Sequence, residues 1–131
     1  LDAYAMSLTP EVSPYRVNGA LSAKAKQGER LFKRAGCAEC HPGDKLGAHG
    51  ERLFTNLKKF NLGLGVGNEE GREFDTPTLV EVWRTAPYLY DGRALTIQEL
   101  LKACNPQDAH GATQKLDDGE IDALAEFVLS L

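Results

Sequence analysis

Apolar residues recur at helical spacing in several stretches of the chain. Ala25, Gly28, Leu31 and Phe32 share one face of a helix that Ser22 can N-cap and that runs to about Arg34, where Gly36 ends it. Its other faces carry Lys24, Lys26, Glu29, Arg30, Lys33 and Arg34. Gly28 costs helix stability relative to Ala, so its presence predicts a close crossing by another helix. Ile97, Leu100, Leu101 and Cys104 fall at helical spacing behind a Thr96/Glu99 capping box, and Asn105-Pro106 stops that helix. Ile121, Leu124, Ala125, Val128 and Leu129 form the cleanest stripe, behind a second box at Asp117 and Glu120. A further helix is predicted from Thr76-Pro77, with Leu79, Val80 and Trp83 on one face and Thr85-Ala86-Pro87 as its stop. Tyr88 to Arg93 then form a turn.

Between these elements the pattern weakens. Residues 42–74 contain seven glycines and little periodicity, which predicts a long loop with a short helical turn near Glu51 to Leu57. Residues 1–8 read as the last two turns of a helix, and Pro10 and Pro14 then make a stiff linker. The end of the chain repeats that opening in outline, Leu124 to Leu131 beside Leu1 to Leu8, as a remnant of a preceding domain would. The expected organisation is therefore a tail and linker over residues 1–20 and one domain over 21–131. No stretch alternates as a strand does. The pattern predicts an all-α fold.

Composition narrows the function. The chain has 131 residues, ordinary hydrophobic and charged fractions, and only five Phe, four Tyr and one Trp, so its own aromatic core is modest. A formal net charge of −4 argues against a nucleic-acid partner, and no apolar run is long enough to span a membrane. No signal-peptide pattern opens the chain at Leu1, so the expectation is a processed chain or one cut from a larger protein.

The chemistry lies in Cys37-Ala38-Glu39-Cys40-His41, a C-x-x-C-H run. Each thiol of such a pair adds across one vinyl group of a haem, and the next residue falls beneath the ring, where its imidazole binds iron. A zinc site would need a second ligand pair, yet only Cys104, His49 and His110 remain, at no matching spacing. A thioredoxin-like redox pair would need a surrounding βαβ pattern. One covalent haem c is expected, and haem of this kind is attached outside the bacterial cytoplasm, which predicts a periplasmic or otherwise extracytoplasmic location.

A helix leading into this motif, a long loop and a terminal helix together resemble the class I cytochrome c fold, a helical domain wrapped around one covalent haem. The run Thr76-Pro77-Thr78-Leu79, Thr85-Ala86-Pro87-Tyr88, Asp91-Gly92 and Thr96-Ile97 is more specific. With Gly28-Glu-Arg-Leu-Phe32 and the haem motif, it resembles the C-terminal haem domain of the bacterial di-haem cytochrome c peroxidases and their relatives, which include the enzyme that matures methylamine dehydrogenase. The resemblance covers residues 21–131. It implies that the first and last helices cross, that Gly28 and Phe32 face the 121–129 stripe, and that the domain relays electrons. It departs from the family at one point. The methionine that commonly serves as sixth ligand has no counterpart, because Met6 is the only Met and Cys104 stands near that position.

The group opposite His41 therefore decides between functions. His110, on the loop before the terminal helix, is the candidate sixth ligand, ahead of Cys104, His49 and Met6. Cys104 is expected to complete an apolar face, and His49 to face solvent. Trp83, Arg84 and Arg93 are candidates for contact with the haem propionates. Tyr88 and Tyr90 are candidates for the distal side or for a turn. A His–His iron closed to small ligands suits an electron-transfer domain that serves a redox partner protein or a second haem domain. The alternative is a haem peroxidase reducing hydrogen peroxide at an open site, with Glu51, Glu69, Glu70 or Glu73 as acid–base group. No carboxylate cluster specifies a calcium site.

Overall fold

The computed structural model describes residues 1–131. Two helices, α2 (Ala23–Arg34) and α5 (Asp118–Leu129), cross to form its centre. Ser22 Oγ accepts the Ala25 N–H at the start of α2, and Asp117 and Glu120 form a complete capping box at the start of α5. The buried face of α2 consists of Ala25, Gly28, Leu31 and Phe32, as its spacing predicts. It packs on Ile121, Ala123, Leu124, Ala125, Phe127 and Val128 of α5. A Cβ at Gly28 would lie 1.9 Å from the Ala123 carbonyl oxygen, so the two backbones touch there. Phe32 and Phe127 meet edge to face at 5.2 Å, and Phe54 joins them from the long loop at 6.4 and 6.3 Å.

Opposite charges on the two helices pair across the crossing: Arg34 with Glu120 at 2.6 Å and Lys24 with Asp122 at 3.6 Å. The charged flank of α2 thus lies beside the acidic residues of α5.

Three smaller expectations fail. No helix starts at Thr76-Pro77. The segment runs extended instead: the Thr76 N–H donates to the Lys58 carbonyl at 2.8 Å, and the Leu79 N–H and Thr78 hydroxyl donate to Leu53 O. Its β-branched residues favour extended backbone, and Glu81 adopts left-handed backbone (φ 57°), so only a 3-10 turn forms, at Val82–Arg84. The predicted turn over residues 51–57 is also absent, because Arg52 bridges back to Leu46 and the Leu53 N–H donates to Lys45 O. Strands do occur, each two residues long. β1 (Arg16–Val17) and β2 (Ala20–Leu21) pair through Asn18-Gly19, both at positive φ, the signature of a tight hairpin turn. β3 (Lys59–Phe60) pairs with β4 (Phe74–Asp75), closing the neck of the glycine-rich loop.

At the N-terminus, α1 (Asp2–Ser7) forms as expected and buries none of its residues. The segment after it is bonded into the body. Ser13 is buried and donates through its hydroxyl to Leu129 O at 2.5 Å, Arg16 donates to Ser130 O at 2.8 Å, and the Glu11 N–H donates to the Glu81 carboxylate at 2.7 Å. The short helices α3 (Cys37–Cys40) and α4 (Ile97–Leu101) complete the fold. Thr96 caps α4 through Glu99 N–H, and Leu101 and Ile97 enter the core.

Candidate haem site

The site begins where α2 ends. Gly36 takes left-handed backbone (φ 79°), which turns the chain out of α2 and into α3, a single turn with Cys37 and Cys40 at its two ends. Residues three apart on a helical turn lie on one side of it, so both sulfurs can reach one flat ligand. His41 follows directly and is buried, 7 % exposed. Its Nδ1 lies 2.8 Å from the Phe54 carbonyl oxygen, an acceptor, so Nδ1 carries the proton and Nε2 keeps its lone pair for a metal.

Phe54 is the residue the sequence did not single out. Its ring is anchored against Phe32 and Phe127, while its backbone is left-handed (φ 52°), a conformation costly for a bulky residue. That twist turns the carbonyl toward His41. Nothing in the local sequence signals it, because a positive φ at Phe is imposed by packing from elsewhere.

Opposite stands His110. The two imidazole centres lie 6.3 Å apart, with ring planes inclined by 34°. The His110 ring makes no hydrogen bond to the protein, whereas its backbone N–H donates to Asn105 Oδ1 at 2.8 Å. Burial, with His41 nearby, pushes its pKa down to about 4, and burial also lowers that of His41. Both rings are therefore neutral near pH 7, the form that binds a metal.

The thiols behave in the opposite sense to a redox pair. Burial pushes Cys37 up to about 11, and burial together with Glu39 raises Cys40. A dithiol oxidoreductase depresses a thiol pKa and sits in a βαβ unit, whereas this pair lies between α2 and a long loop, so nothing favours that alternative. No group of three or more His, Cys, Asp or Glu side chains gathers to hold a metal ion, whereas a structural zinc takes four such ligands.

The remaining candidates scatter. Trp83, in the 3-10 turn against α5, has a buried indole N–H with no partner in the protein. Arg84 pairs through one Nη2 with Glu81 at 2.5 Å and lies over the Trp83 ring. Arg93 is more fully engaged, with Nε on both Asp91 oxygens and Nη2 on Leu64 O. Tyr88 is buried and donates to Val82 O at 3.1 Å, while Tyr90 stacks on Phe74 at 4.5 Å. Both tyrosines thus serve the turn. Cys104 packs against the core cluster, His49 is exposed, and Met6 is exposed on α1. Glu51 accepts the His49 N–H and Glu69 pairs with Arg72.

The sequence profile of the family described as Cytochrome c matches residues 25–131. The chain belongs to the cytochrome c family. Such a domain carries covalent haem c. Among relatives, this cytochrome c domain is 27% identical to hydrazine synthase subunit gamma of Kuenenia stuttgartiensis over the whole of this chain and 48% of the relative. It is 33% identical to a cytochrome c551 peroxidase of Nitrosomonas europaea, over 63% of this chain and 27% of that protein. With the cytochrome c peroxidase Ccp of Escherichia coli it shares 31% identity over 86% of this chain and 26% of the relative. A solved structure of Kuenenia stuttgartiensis hydrazine synthase pressurised with xenon superposes with a TM-score of 0.83 at 28% identity, over 98% of this chain and 52% of that one. The chain thus spans about half the length, or less, of these relatives. These relatives bear out the resemblance carried by the run from Thr76 to Ile97 and the helical cytochrome c fold it implies.

The residues present fit the cofactor. A metal bound by one nitrogen of each imidazole, at about 2 Å with the ring centres just over 1 Å beyond, would set those centres roughly 6 Å apart. The observed 6.3 Å matches. The unpartnered Trp83 N–H is a donor of the kind a propionate satisfies.

Proposed function

We propose that this cytochrome c domain is an electron relay, with haem c joined to Cys37 and Cys40 and its iron held between His41 and His110. The 6.3 Å separation of the two imidazoles carries this reading. Haem c bound there supplies a one-electron couple at its iron. His41 binds through Nε2, held in that tautomer by Phe54 O. His110 closes the other side against small ligands, as a neutral imidazole whose burial keeps it unprotonated. Trp83 donates to a propionate, and Arg84, with donors to spare beyond Glu81, supports it better than the more heavily engaged Arg93.

The partner in this reading is a redox protein or a second haem domain. The exposed Leu1, Tyr4, Met6 and Leu8 of the α1 region and the greater length of the relatives support the second haem domain. No helix is long and apolar enough to cross a membrane, and a periplasmic or other extracytoplasmic location suits the site of haem attachment. The peroxidase names among the relatives support a second reading, in which His110 leaves and peroxide enters.

Carbon monoxide separates the two. The reduced holoprotein should keep its visible spectrum on mixing with the gas and form the carbonyl complex only slowly, whereas His110→Ala should form it at once. A wild-type protein that forms the carbonyl complex at once would overturn the relay and favour the peroxidase.

A further inference from the structure

The ring of His110 has no hydrogen bond to hold it, in contrast to His41, so its place opposite His41 must come from its backbone. At His110 itself that backbone is held by the Asn105 side chain. Asn105, 2% exposed, accepts the His110 N–H with Oδ1 at 2.8 Å, and its Nδ2 donates to Gly111 O and to Thr113 Oγ1, each at 2.8 Å. Asn105 therefore grips the chain on both sides of His110. Thr113, itself wholly buried, passes the connection on by donating to Leu101 O at the end of α4, at 2.5 Å. The far side of the loop is tied to the attachment motif. The Ala112 N–H donates to Ala35 O at 2.9 Å, and a Cβ on Gly111 would lie 3.4 Å from Cys37 Sγ. His110 is thus referenced to α4 through Asn105 and to the haem-bearing turn through Gly111 and Ala112.

A helix stop needs none of this. α4 has already ended at Leu101, before Asn105 is reached, and an exposed turn would leave a loop amide in water. A buried amide with every hydrogen satisfied specifies a single arrangement, because any other leaves polar groups unpaired. We propose that Asn105 is the positioning residue for the sixth ligand: it holds His110 at bonding distance and so sets how rarely the distal side opens. The proposal rests on His110 being that ligand.

Its chemical consequence is a population. External ligands bind only the open fraction, so their rate scales with that fraction. Losing one net hydrogen bond to the His110 backbone should raise it about tenfold.

The test uses four holoproteins: wild type, Asn105→Ala, Ser22→Ala and His110→Ala. Ser22→Ala removes the N-cap of α2, at the end of that helix away from Cys37, leaves every Asn105 bond in place, and so reports loss of stability alone. The reduced proteins are mixed with carbon monoxide, and their oxidised low-spin spectra and midpoint potentials are recorded. The expectation is a carbonyl formation rate about tenfold higher for Asn105→Ala, with a fraction of high-spin iron. For Ser22→Ala the rate should stay within about twofold of wild type, as a variant that spares the ligand loop predicts. Equal acceleration in both variants, or none in Asn105→Ala while His110→Ala opens fully, overturns the positioning role and leaves the ligand assignment standing. If His110→Ala itself leaves the spectrum unchanged, the ligand assignment fails and the proposal with it. Should Asn105→Ala not load haem, Asn105→Asp is read instead. It keeps the acceptor for His110 N–H and loses the donors to Gly111 and Thr113. A rate raised by at least about threefold then supports the proposal, and an unchanged rate overturns it.

Discussion

At Gly28 a methyl group would sit 1.9 Å from Ala123 O and 2.7 Å from Phe127 Cβ, and the first of these is backbone that cannot rotate away. Two effects oppose each other in Gly28→Ala. Helix propensity favours Ala by about 1 kcal/mol, whereas forcing two helices apart costs about 1–3 kcal/mol or more. The clash should win, for a net loss of about 2 kcal/mol in guanidinium unfolding of the holoprotein; a midpoint equal to wild type would show that the helices slide apart freely. Trp83 gives a second residue-scale test. Replacing it by Phe removes a buried N–H that has no protein partner. If a propionate is that partner, Trp83→Phe leaves more negative charge unscreened near the iron, which favours the ferric state and lowers the midpoint potential. An unchanged potential in a stable variant would separate Trp83 from the cofactor. Residues of this kind were legible to different degrees. Gly28 announces itself, because glycine inside an amphipathic helix needs a packing reason. Phe54 does not, since its role lies in a carbonyl direction that only the assembled aromatic cluster imposes.

The elements that the pattern located best are those whose ends carry their own instructions. α2 and α5 start at the caps that Ser22 and Asp117 provide, and both end within a residue or two of expectation. α4 is half an exception. Thr96 accepts the Glu99 N–H, yet the Glu99 carboxylate takes the Leu95 N–H at 2.7 Å instead of closing the box on Thr96. Asp117→Ala should therefore cost about 1–2 kcal/mol in thermal unfolding and Thr96→Ala less, because one capping box is reciprocal and the other is not. Equal losses would mean that side-chain caps here act one donor at a time. The Thr76-Pro77 segment shows the limit of local rules. Thr then Pro is a sound helix start, but residues 76–79 gain more by bonding to Lys58 and Leu53 in the loop that carries the His41 partner. A tertiary contact outweighed the propensity. Asn18-Gly19, in contrast, was a readable hairpin signal flanked by strands too short to alternate.

On the scale of the whole molecule, the N-terminal segment is strapped to the body by a few polar contacts. Glu81 is the pivot: its carboxylate accepts the Glu11 N–H and pairs with Arg84, and these two, the N–H first, hold its pKa below the usual 4.5. A carboxyl whose pKa falls on folding binds fewer protons folded than unfolded, so its contribution is complete above the ordinary value and is lost as pH falls through the lowered one. The strap should thus be intact at neutral pH and loosen only in acid. In the reduced, diamagnetic holoprotein the Glu81 side-chain carboxyl resonance should titrate with a midpoint below 4.5, and Glu81→Ala should speed thermolysin cleavage within residues 1–12 at neutral pH. Ser13 and Arg16, bonded to the last turn of α5, should keep the cut from spreading into the haem-bearing body. A Glu81 midpoint at or above 4.5 would place the strap's hold elsewhere, on Ser13 and Arg16 alone.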